Sequence, residues 1–216
     1  MTSCSVPTIS IELVKRCHAA YDGGGRKTWA DLVRATPGGV DLSQAAHRAA
    51  VHSYLNRWGC RLKNAAGSTE SATALALEDW WQKNANELSL VLSKSLAELN
   101  DAQIERAAEM YWDLRMQRAG ARRRIGPVTA AKVLLALGPS TFPAWDSRVA
   151  KEAYGGTNRD TYRAHLAQCR EWAQQLEVHH SEELKKLVDP LERVGIAKLL
   201  DQALYEIFTR RLNLER

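Results

Sequence analysis

The sequence is poor in the residues that build disulfide-linked, metal-bound or membrane-spanning folds. Its four cysteines, at positions 4, 17, 60 and 169 of 216, are too scattered for a C-x-x-C zinc site or an iron–sulfur cluster, so we expect reduced thiols. The chain has neither the apolar run of a signal peptide nor eighteen consecutive apolar residues. We therefore expect a soluble, cytoplasmic protein with no membrane partner.

Clusters of β-branched residues, which would predict strands, are also rare. Ala, Leu, Glu, Gln and Arg dominate, and apolar residues recur every three or four positions, as on one face of a helix. A hydrophobic content of 45% is sufficient for a core, and neither a repeat nor a low-complexity linker divides the chain. We predict an all-α fold in which residues 1–216 form one domain of two lobes.

Three predicted helix starts carry capping patterns, the first of which is Asp41-x-x-Gln44 before an Ala-rich helix. Asn100-x-x-Gln103 precedes the helix IERAAEMYWDLRM, and Thr157-x-x-Asp160 precedes the helix TYRAHLAQCREW. Trp29, Trp80, Trp81, Trp112 and Trp172 are expected in the core, because most tryptophans of a helical domain are buried.

Acidic residues are absent from one long stretch. Between Asp113 and Asp146 lie thirty-two residues without Asp or Glu, and six of them are cationic: Arg115, Arg118, Arg122, Arg123, Arg124 and Lys132. The whole chain carries +5 and this stretch +6, so the remaining residues sum to minus one. A basic surface suits a polyanion such as DNA, whereas phosphates repel a carboxylate. Asp146 therefore needs another reason for its position, and chemistry on nucleic acid is one.

Within this stretch the sequence predicts two helices joined by a short turn. The first helix should end near Arg118, and the second should begin near Pro127, because proline is tolerated in a first helical turn. Gly126 would let the turn approach a ligand closely. The N–H groups of Gly126, Val128 and Thr129 would be free to bind a phosphate.

The order of these signals resembles the helix-hairpin-helix DNA glycosylases, the HhH-GPD superfamily. That pattern is an apolar-Gly hairpin, a Thr-Ala helix, a Gly/Pro-rich loop and an Asp that heads the next helix. The matching residues, which align without a gap, are Ile125-Gly126, Thr129-Ala130 and Asp146, and Lys151 matches a basic position one turn later. The resemblance covers about thirty residues within the segment 100–155.

The resemblance implies a two-lobed helical fold with a cleft between the lobes, and Asp146 as the carboxylate that helps break an N-glycosidic bond. Its implied partner is double-stranded DNA with a flipped base, bound by a monomer that needs no cofactor and no metal. Val128 stands where bifunctional members carry a lysine nucleophile, which implies an enzyme without a lyase step. Arg124 replaces the first hairpin glycine of many relatives.

The predicted DNA-binding residues are the hairpin and its neighbours, namely Arg122, Arg123, Arg124, Ile125, Gly126, Val128, Thr129, Lys132, Arg148 and Lys151. Candidates for the base pocket are Trp145, which precedes Asp146, and Asn56, Arg57 and Trp58, which end a predicted helix. Each set has a structural alternative. Asp146 could be a helix N-cap, the arginines a solvated turn, and the two tryptophans core residues.

Three functions remain open at this point. The first is a DNA glycosylase, the second a DNA-binding hairpin protein without catalysis, and the third a helical interaction protein whose cations are incidental. The matched segment would contact the DNA backbone and the sugar, which are the same for every base, so it does not identify the base that is released. Alkylated, deaminated and oxidised bases are candidates, as is a hypermodified cytosine of the kind phages use, so repair and phage defence are both possible roles.

Overall fold

The computed structural model describes residues 8–21, 23–62, 71–121 and 123–211. In these ranges the chain forms eight α-helices: α1 Ile11–Ala20, α2 Gly23–Ala35, α3 Ala45–Arg57, α4 Ala72–Leu92, α5 Asp101–Met116, α6 Pro127–Leu137, α7 Arg159–Leu187 and α8 Ile196–Leu204. A 3-10 turn occupies Leu96–Glu98, and π-helical turns occupy Val149–Ala153 and Tyr205–Thr209. No strand occurs among these residues, which confirms the all-α prediction.

All eight helices contribute buried residues to one hydrophobic core. The long helix α7 packs against α5, α1 packs against α8, and α3 contacts α2, α4 and α6. Helix α8 is buried along its whole length, and in α6 every residue from Thr129 to Leu137 is buried. The two helices form much of the interior. In α6, the first turn differs from the rest. The run of Ala, Val and Leu that follows it is apolar on all sides, as expected for an interior helix. Only the first turn of α6 therefore reaches the surface.

Side chains cap four of the described α-helices, namely those of Ser10, Ser71, Asn100 and Asn158. The expected Asp41 cap is not formed, because α3 begins after Gln44 without a side-chain cap. The Asn100 side chain accepts a hydrogen bond from the Gln103 N–H at 2.9 Å, and the Gln103 side chain accepts one from the Asn100 N–H at 3.1 Å, as predicted. Helix α7 is capped by Asn158, which accepts from the Thr161 N–H at 2.8 Å, and not by Thr157. Asn158 takes this role because its amide reaches the N–H that a threonine one residue earlier cannot.

The aromatic residues and cysteines largely occupy the interior. Trp29, Trp80 and Trp172 are buried as predicted, whereas Trp81 and Trp112 are half-buried at the edge of the core. Three cysteines lie in the described part of the chain, Cys17, Cys60 and Cys169, and none of them is in a disulfide. Among the described helices, none combines the length and the apolar character needed to cross a membrane.

The capping box at the start of α5 predicts a measurable loss of stability on mutation. Asn100→Ala removes the acceptor for the Gln103 N–H and should lower the free energy of unfolding by about 1 kcal/mol. In a protein of this size that loss corresponds to a melting temperature lower by about 2–4 °C. Asn86→Ala is the matched control, because Asn86 is exposed within α4 and caps nothing. An equal loss in both variants would contradict the capping account.

Candidate nucleic-acid interface and active site

A tight hairpin joins α5 to α6. The Ala119 N–H donates to the Arg123 carbonyl at 2.8 Å, and the Ile125 N–H donates to the Gln117 carbonyl at 3.0 Å. Gly120 has φ +124° at the tip, a conformation that side chains rarely adopt. Helix α5 ends at Met116, slightly before the expected Arg118, because Gln117 is already extended and begins the hairpin. The predicted start of α6 at Pro127 is confirmed.

Gly126 differs from Gly120 in that nothing inside the protein requires it to be glycine. Its φ is −72°, which any residue adopts. A Cβ built on Gly126 would meet only the Thr129 hydroxyl, at an ordinary contact distance of 3.7 Å. The missing side chain thus leaves room on the outer side of the turn, where a ligand could approach the backbone closely.

The first turn of α6 offers unused backbone donors. Gly126 is the N-cap and has no side chain to accept from the first amides, and Pro127 has no N–H. In the part of the chain that the structure describes, the amides of Gly126, Val128 and Thr129 donate to no acceptor. Such a turn has the positive end of the helix dipole and free donors together, which suits an anion.

Three hairpin cations have no carboxylate partner in the described ranges. Arg118, Arg123 and Arg124 are exposed, and none forms an ion pair with a carboxylate among the described residues. The Arg123 guanidinium donates to the Arg61 carbonyl at 3.0 Å, and that of Arg124 contacts the Met116 sulfur at 3.2 Å. These neutral contacts orient the guanidinium groups and leave their charge uncompensated. Arg122 lies outside the described residues.

Three members of the predicted DNA-binding set have buried side chains, which do not belong to this exposed surface. Ile125 is buried and its N–H is already used in the hairpin. Lys132 is only 6% exposed, in the enclosed part of α6, so its side chain does not lie with the exposed arginines of the hairpin. Thr129 is buried as well and offers only its backbone N–H. Arg148 and Lys151 are exposed beside Asp146, and Arg148 donates to the Thr209 carbonyl at 3.4 Å.

Asp146 is half-buried at the start of the helical residues 147–154. One carboxylate oxygen accepts the N–H groups of Arg148 at 2.8 Å and Val149 at 2.9 Å, which is the geometry of an N-cap. The other oxygen accepts a hydrogen bond from the Thr209 hydroxyl. The capping alternative is therefore correct, and it also fixes the orientation of the carboxylate.

Trp145, the residue before Asp146, does not line an open pocket. Its ring is 1% exposed and contacts Tyr162 edge-on at 5.0 Å between centroids. It also stacks on His165 at 5.2 Å. Burial lowers the pKa of His165 to about 4, so this imidazole is neutral at physiological pH. The structure gives no support for a base-pocket role of Trp145, because the buried ring anchors the backbone of Asp146 in the core.

Asn56 and Arg57 also have structural partners in place of a base. The Asn56 amide accepts the Leu62 N–H at 2.6 Å and donates to the Leu62 carbonyl at 3.2 Å, which closes the turn after α3. Arg57 forms an exposed ion pair with Asp31. Neither side chain is directed to Asp146 by these contacts, so the structure gives no support for their predicted place in a base pocket.

Trp58 is enclosed by aromatic and cationic neighbours, and its indole N–H, like that of Trp145, is buried without an acceptor among the described residues. Its half-buried ring stacks on Tyr21 at 6.0 Å and meets Tyr205 edge-on at 5.8 Å. The Lys132 ammonium lies over the Trp58 ring, 4.3 Å from its centroid. Tyr205 begins the π-helical turn that ends at Thr209, whose hydroxyl bonds Asp146. The π-helical turn Tyr205–Thr209 therefore connects Trp58 to the Asp146 carboxylate.

The sequence pattern did not reveal the buried polar residues of α8. Lys198 and Asp201 form a buried ion pair at 2.8 Å. Burial lowers the pKa of Lys198 despite the nearby Asp201. Burial alone would raise the pKa of Asp201, but the charges of Lys198 and Lys132 outweigh this effect and lower it. The i, i+3 spacing of Lys198 and Asp201 was visible in the sequence, whereas their burial and the Thr209 contact were not.

Three described cavities have volumes of about 450, 210 and 410 Å³. The largest lies between α1, α2 and the loop before α8, with Tyr21, Trp29 and Gln202 among its walls. Asp146 lines none of the three. Within the described ranges, no three His, Cys, Asp or Glu side chains converge as metal ligands do.

Comparison with known proteins identifies no relative. No protein-family model, no curated protein and no solved structure matches the chain. The function must therefore be inferred from the residues and geometry of this chain.

The double role of Asp146 predicts that two substitutions will differ in stability. Asp146→Ala removes the cap and the Thr209 partner and should lower the free energy of unfolding by about 1 kcal/mol. Asp146→Asn keeps a capping oxygen, and a threonine hydroxyl can exchange donor and acceptor roles, so its stability should stay within about 0.5 kcal/mol of the wild type. Chemical denaturation measures both values. Equal losses in the two variants would contradict the capping geometry.

Proposed function

We propose that the protein is a monofunctional DNA glycosylase with a two-lobed helix-hairpin-helix fold. In this proposal the hairpin of residues 117–129 holds duplex DNA, and Asp146 assists hydrolysis of the N-glycosidic bond of a flipped modified or damaged base. The observation that carries the proposal is the hairpin, whose exposed arginines have no carboxylate partner among the described residues. The packing of the protein does not require glycine at position 126. A carboxylate held in a fixed orientation, that of Asp146, follows the hairpin in the chain.

The electrostatics of the hairpin favour a polyanionic partner. Arg118, Arg123 and Arg124 carry charges without a carboxylate partner among the described residues, while arginines elsewhere, such as Arg106 and Arg170, are in ion pairs. Phosphate contacts release counterions from DNA and supply most sequence-independent affinity. The same contacts can offset the cost of flipping a base out of the stack, which is a few kcal/mol.

The chemistry proposed for Asp146 is electrostatic and positional. When the glycosidic bond breaks, its electron pair leaves with the base and positive charge develops on the sugar. A carboxylate beside the sugar stabilises that charge and orients the water that adds to C1′, yielding an abasic site and the free base. The amides of Arg148 and Val149 and the Thr209 hydroxyl hold the carboxylate in place. A group held in this way needs little reorganisation during the reaction.

The proposed reaction ends at the abasic site. Val128 occupies the first turn of α6, where an amine would be needed to form a Schiff base with the opened sugar. An aliphatic side chain cannot form that covalent intermediate. The enzyme should therefore leave the DNA backbone intact, whether it serves repair or removes a phage-type modified cytosine.

One observation favours a second candidate, a hairpin protein that binds DNA without catalysis. Both carboxylate oxygens of Asp146 already accept hydrogen bonds within the protein. A residue that only caps its helix would show the same contacts. The two candidates differ in whether Asp146→Asn changes any product.

The hairpin predicts a steep salt dependence of DNA binding. Arg123→Gln and Arg124→Gln should each weaken binding of a duplex and reduce the slope of log affinity against log salt by about 1, because each removes one phosphate contact. Fluorescence anisotropy across a salt series measures the slope. Arg34→Gln is the control, because it makes the same charge change on an arginine paired with Asp31. An equal effect of all three would show that net charge alone matters.

Gly126→Ala tests close approach of the DNA backbone in the same assay. The methyl group fits inside the protein, so stability should fall by no more than about 1 kcal/mol. Affinity for the duplex should still fall, because the methyl group occupies the outer side of the turn. Unchanged affinity would contradict contact at this turn.

Asp146→Asn should abolish base excision while leaving the fold intact. We expect wild-type protein to produce alkali-labile abasic sites in at least one member of a panel of modified duplexes and phage DNAs. The variant should be slower by at least about 100-fold, because a positioned acid or base contributes that much. Alkali cleavage followed by electrophoresis measures the product. Strand cleavage without alkali would contradict the monofunctional assignment, and equal activity of both proteins would contradict a catalytic Asp146.

A further inference from the structure

Lys132 has no paired carboxylate in the described part of the chain. Its side chain is 6% exposed, yet among those residues it donates to no hydrogen-bond acceptor and forms no ion pair. Asp201, whose charge interacts with that of Lys132, is already paired with Lys198 at 2.8 Å. Two enclosed ammonium groups therefore share one carboxylate. The Trp58 ring beneath Lys132 offsets only part of the cost of this burial.

Trp58 adds a second unsatisfied donor next to the first. Its indole N–H is buried and finds no acceptor in the described ranges. An ammonium group and an indole N–H can donate hydrogen bonds and cannot accept them. Buried donors without acceptors are rare in folded proteins, and a bound ligand is one way to satisfy them. A ligand for this place must therefore present acceptors.

The surroundings suit a flat molecule close to the proposed catalytic residue. Tyr21 stacks on Trp58, and Tyr205 meets it edge-on, so aromatic rings border the two donors. Lys132 is one helical turn after Val128, on the helix that begins at the hairpin. Tyr205 begins the π-helical turn that ends at Thr209, which bonds Asp146. Lys132 is thus linked along α6 to the hairpin, and Trp58 is linked through Tyr205 to the turn that holds the carboxylate.

We infer that the Lys132 ammonium and the Trp58 indole N–H bind the carbonyl-bearing edge of the flipped base. This inference rests on the proposed function and deepens it by naming a substrate class. Guanine-, hypoxanthine-, uracil-, thymine- and cytosine-type bases carry a carbonyl oxygen, whereas adenine carries an amino group and no carbonyl. At the same edge adenine places its amino group where a carbonyl oxygen would accept, so at least one of the two donors stays unpaired even if a ring nitrogen accepts from the other. Sites of this kind discriminate strongly. Adenine-type bases are therefore the rejected class.

The test separates recognition from catalysis by using Asp146→Asn as the background. Duplexes of one sequence carry adenine, hypoxanthine or uracil at one central position opposite an abasic-site analogue. Adenine and hypoxanthine differ mainly in an amino group replaced by a carbonyl. We expect the hypoxanthine and uracil duplexes to bind about tenfold more tightly than the adenine duplex in fluorescence anisotropy.

Two further substitutions in this background assign the discrimination to its donors. Lys132→Met and Trp58→Phe should each reduce the ratio of affinities to within about twofold, while affinity for the adenine duplex stays unchanged. Lys132→Met should also melt at the same or a higher temperature, because replacing an unpaired buried charge by an apolar chain of similar volume is neutral or stabilising. Lys83→Met, on the exposed face of α4, is the matched control and should change neither quantity.

The outcomes distinguish this inference from the proposed function. If all three duplexes bind equally with a steep salt dependence, the carbonyl inference is overturned and the DNA grip remains. If no duplex binds, both are overturned. If Lys132→Met and Trp58→Phe preserve the affinity ratio, these donors do not read the base. If Lys132→Met clearly lowers the melting temperature, Lys132 is a structural cation and the inference is overturned.

Discussion

Burial of α6 is the constraint on which the rest of the site depends. From Thr129 onward the helix is enclosed on all sides, so it can present only its first turn, with Gly126 and Val128, to the exterior. The same burial places Lys132 in the interior, where a charge is costly because its neighbours in α6 are apolar. The exposed hairpin and the enclosed Lys132 ammonium are thus both consequences of one apolar helix. The hairpin is charged and exposed at the start of α6, and Lys132 contacts Trp58 in the interior.

Asp146 shows how one side chain can serve both fold and chemistry. Its cap satisfies the first amides of residues 147–154, and Trp145 anchors the preceding backbone in the aromatic core. The hydrogen bond from the Thr209 hydroxyl links the carboxylate to the π-helical turn Tyr205–Thr209. These contacts would be needed for stability in any case, and they also supply the fixed orientation that the proposed reaction requires. Structural capping is therefore compatible with catalysis. A catalytic Asp146 and a purely structural one would make the same contacts, and they differ only in whether a product forms.

Local features of the sequence predicted local features of the structure well. Capping by Asn100, the start of α6 at Pro127 and the position of Asp146 at the head of a helix all depend on neighbouring residues, which can be read directly. The surroundings of Lys132, Trp145 and Asn56 were not predicted, because they depend on burial or on partners that the pattern does not reveal. Thr209 lies sixty-three positions from Asp146 and belongs to no motif, so its hydroxyl could be found only in the folded chain.

The central claim is that Asp146 takes part in releasing a base from DNA, and detection of the free base tests it most directly. Genomic and phage DNAs are incubated with wild-type protein and with Asp146→Asn, and the small molecules released are identified by mass spectrometry. The account predicts one released base with wild-type protein, one that carries a carbonyl oxygen, and none with the variant. Equal release by both proteins, or no release by a wild-type protein that still binds the DNA, would contradict it.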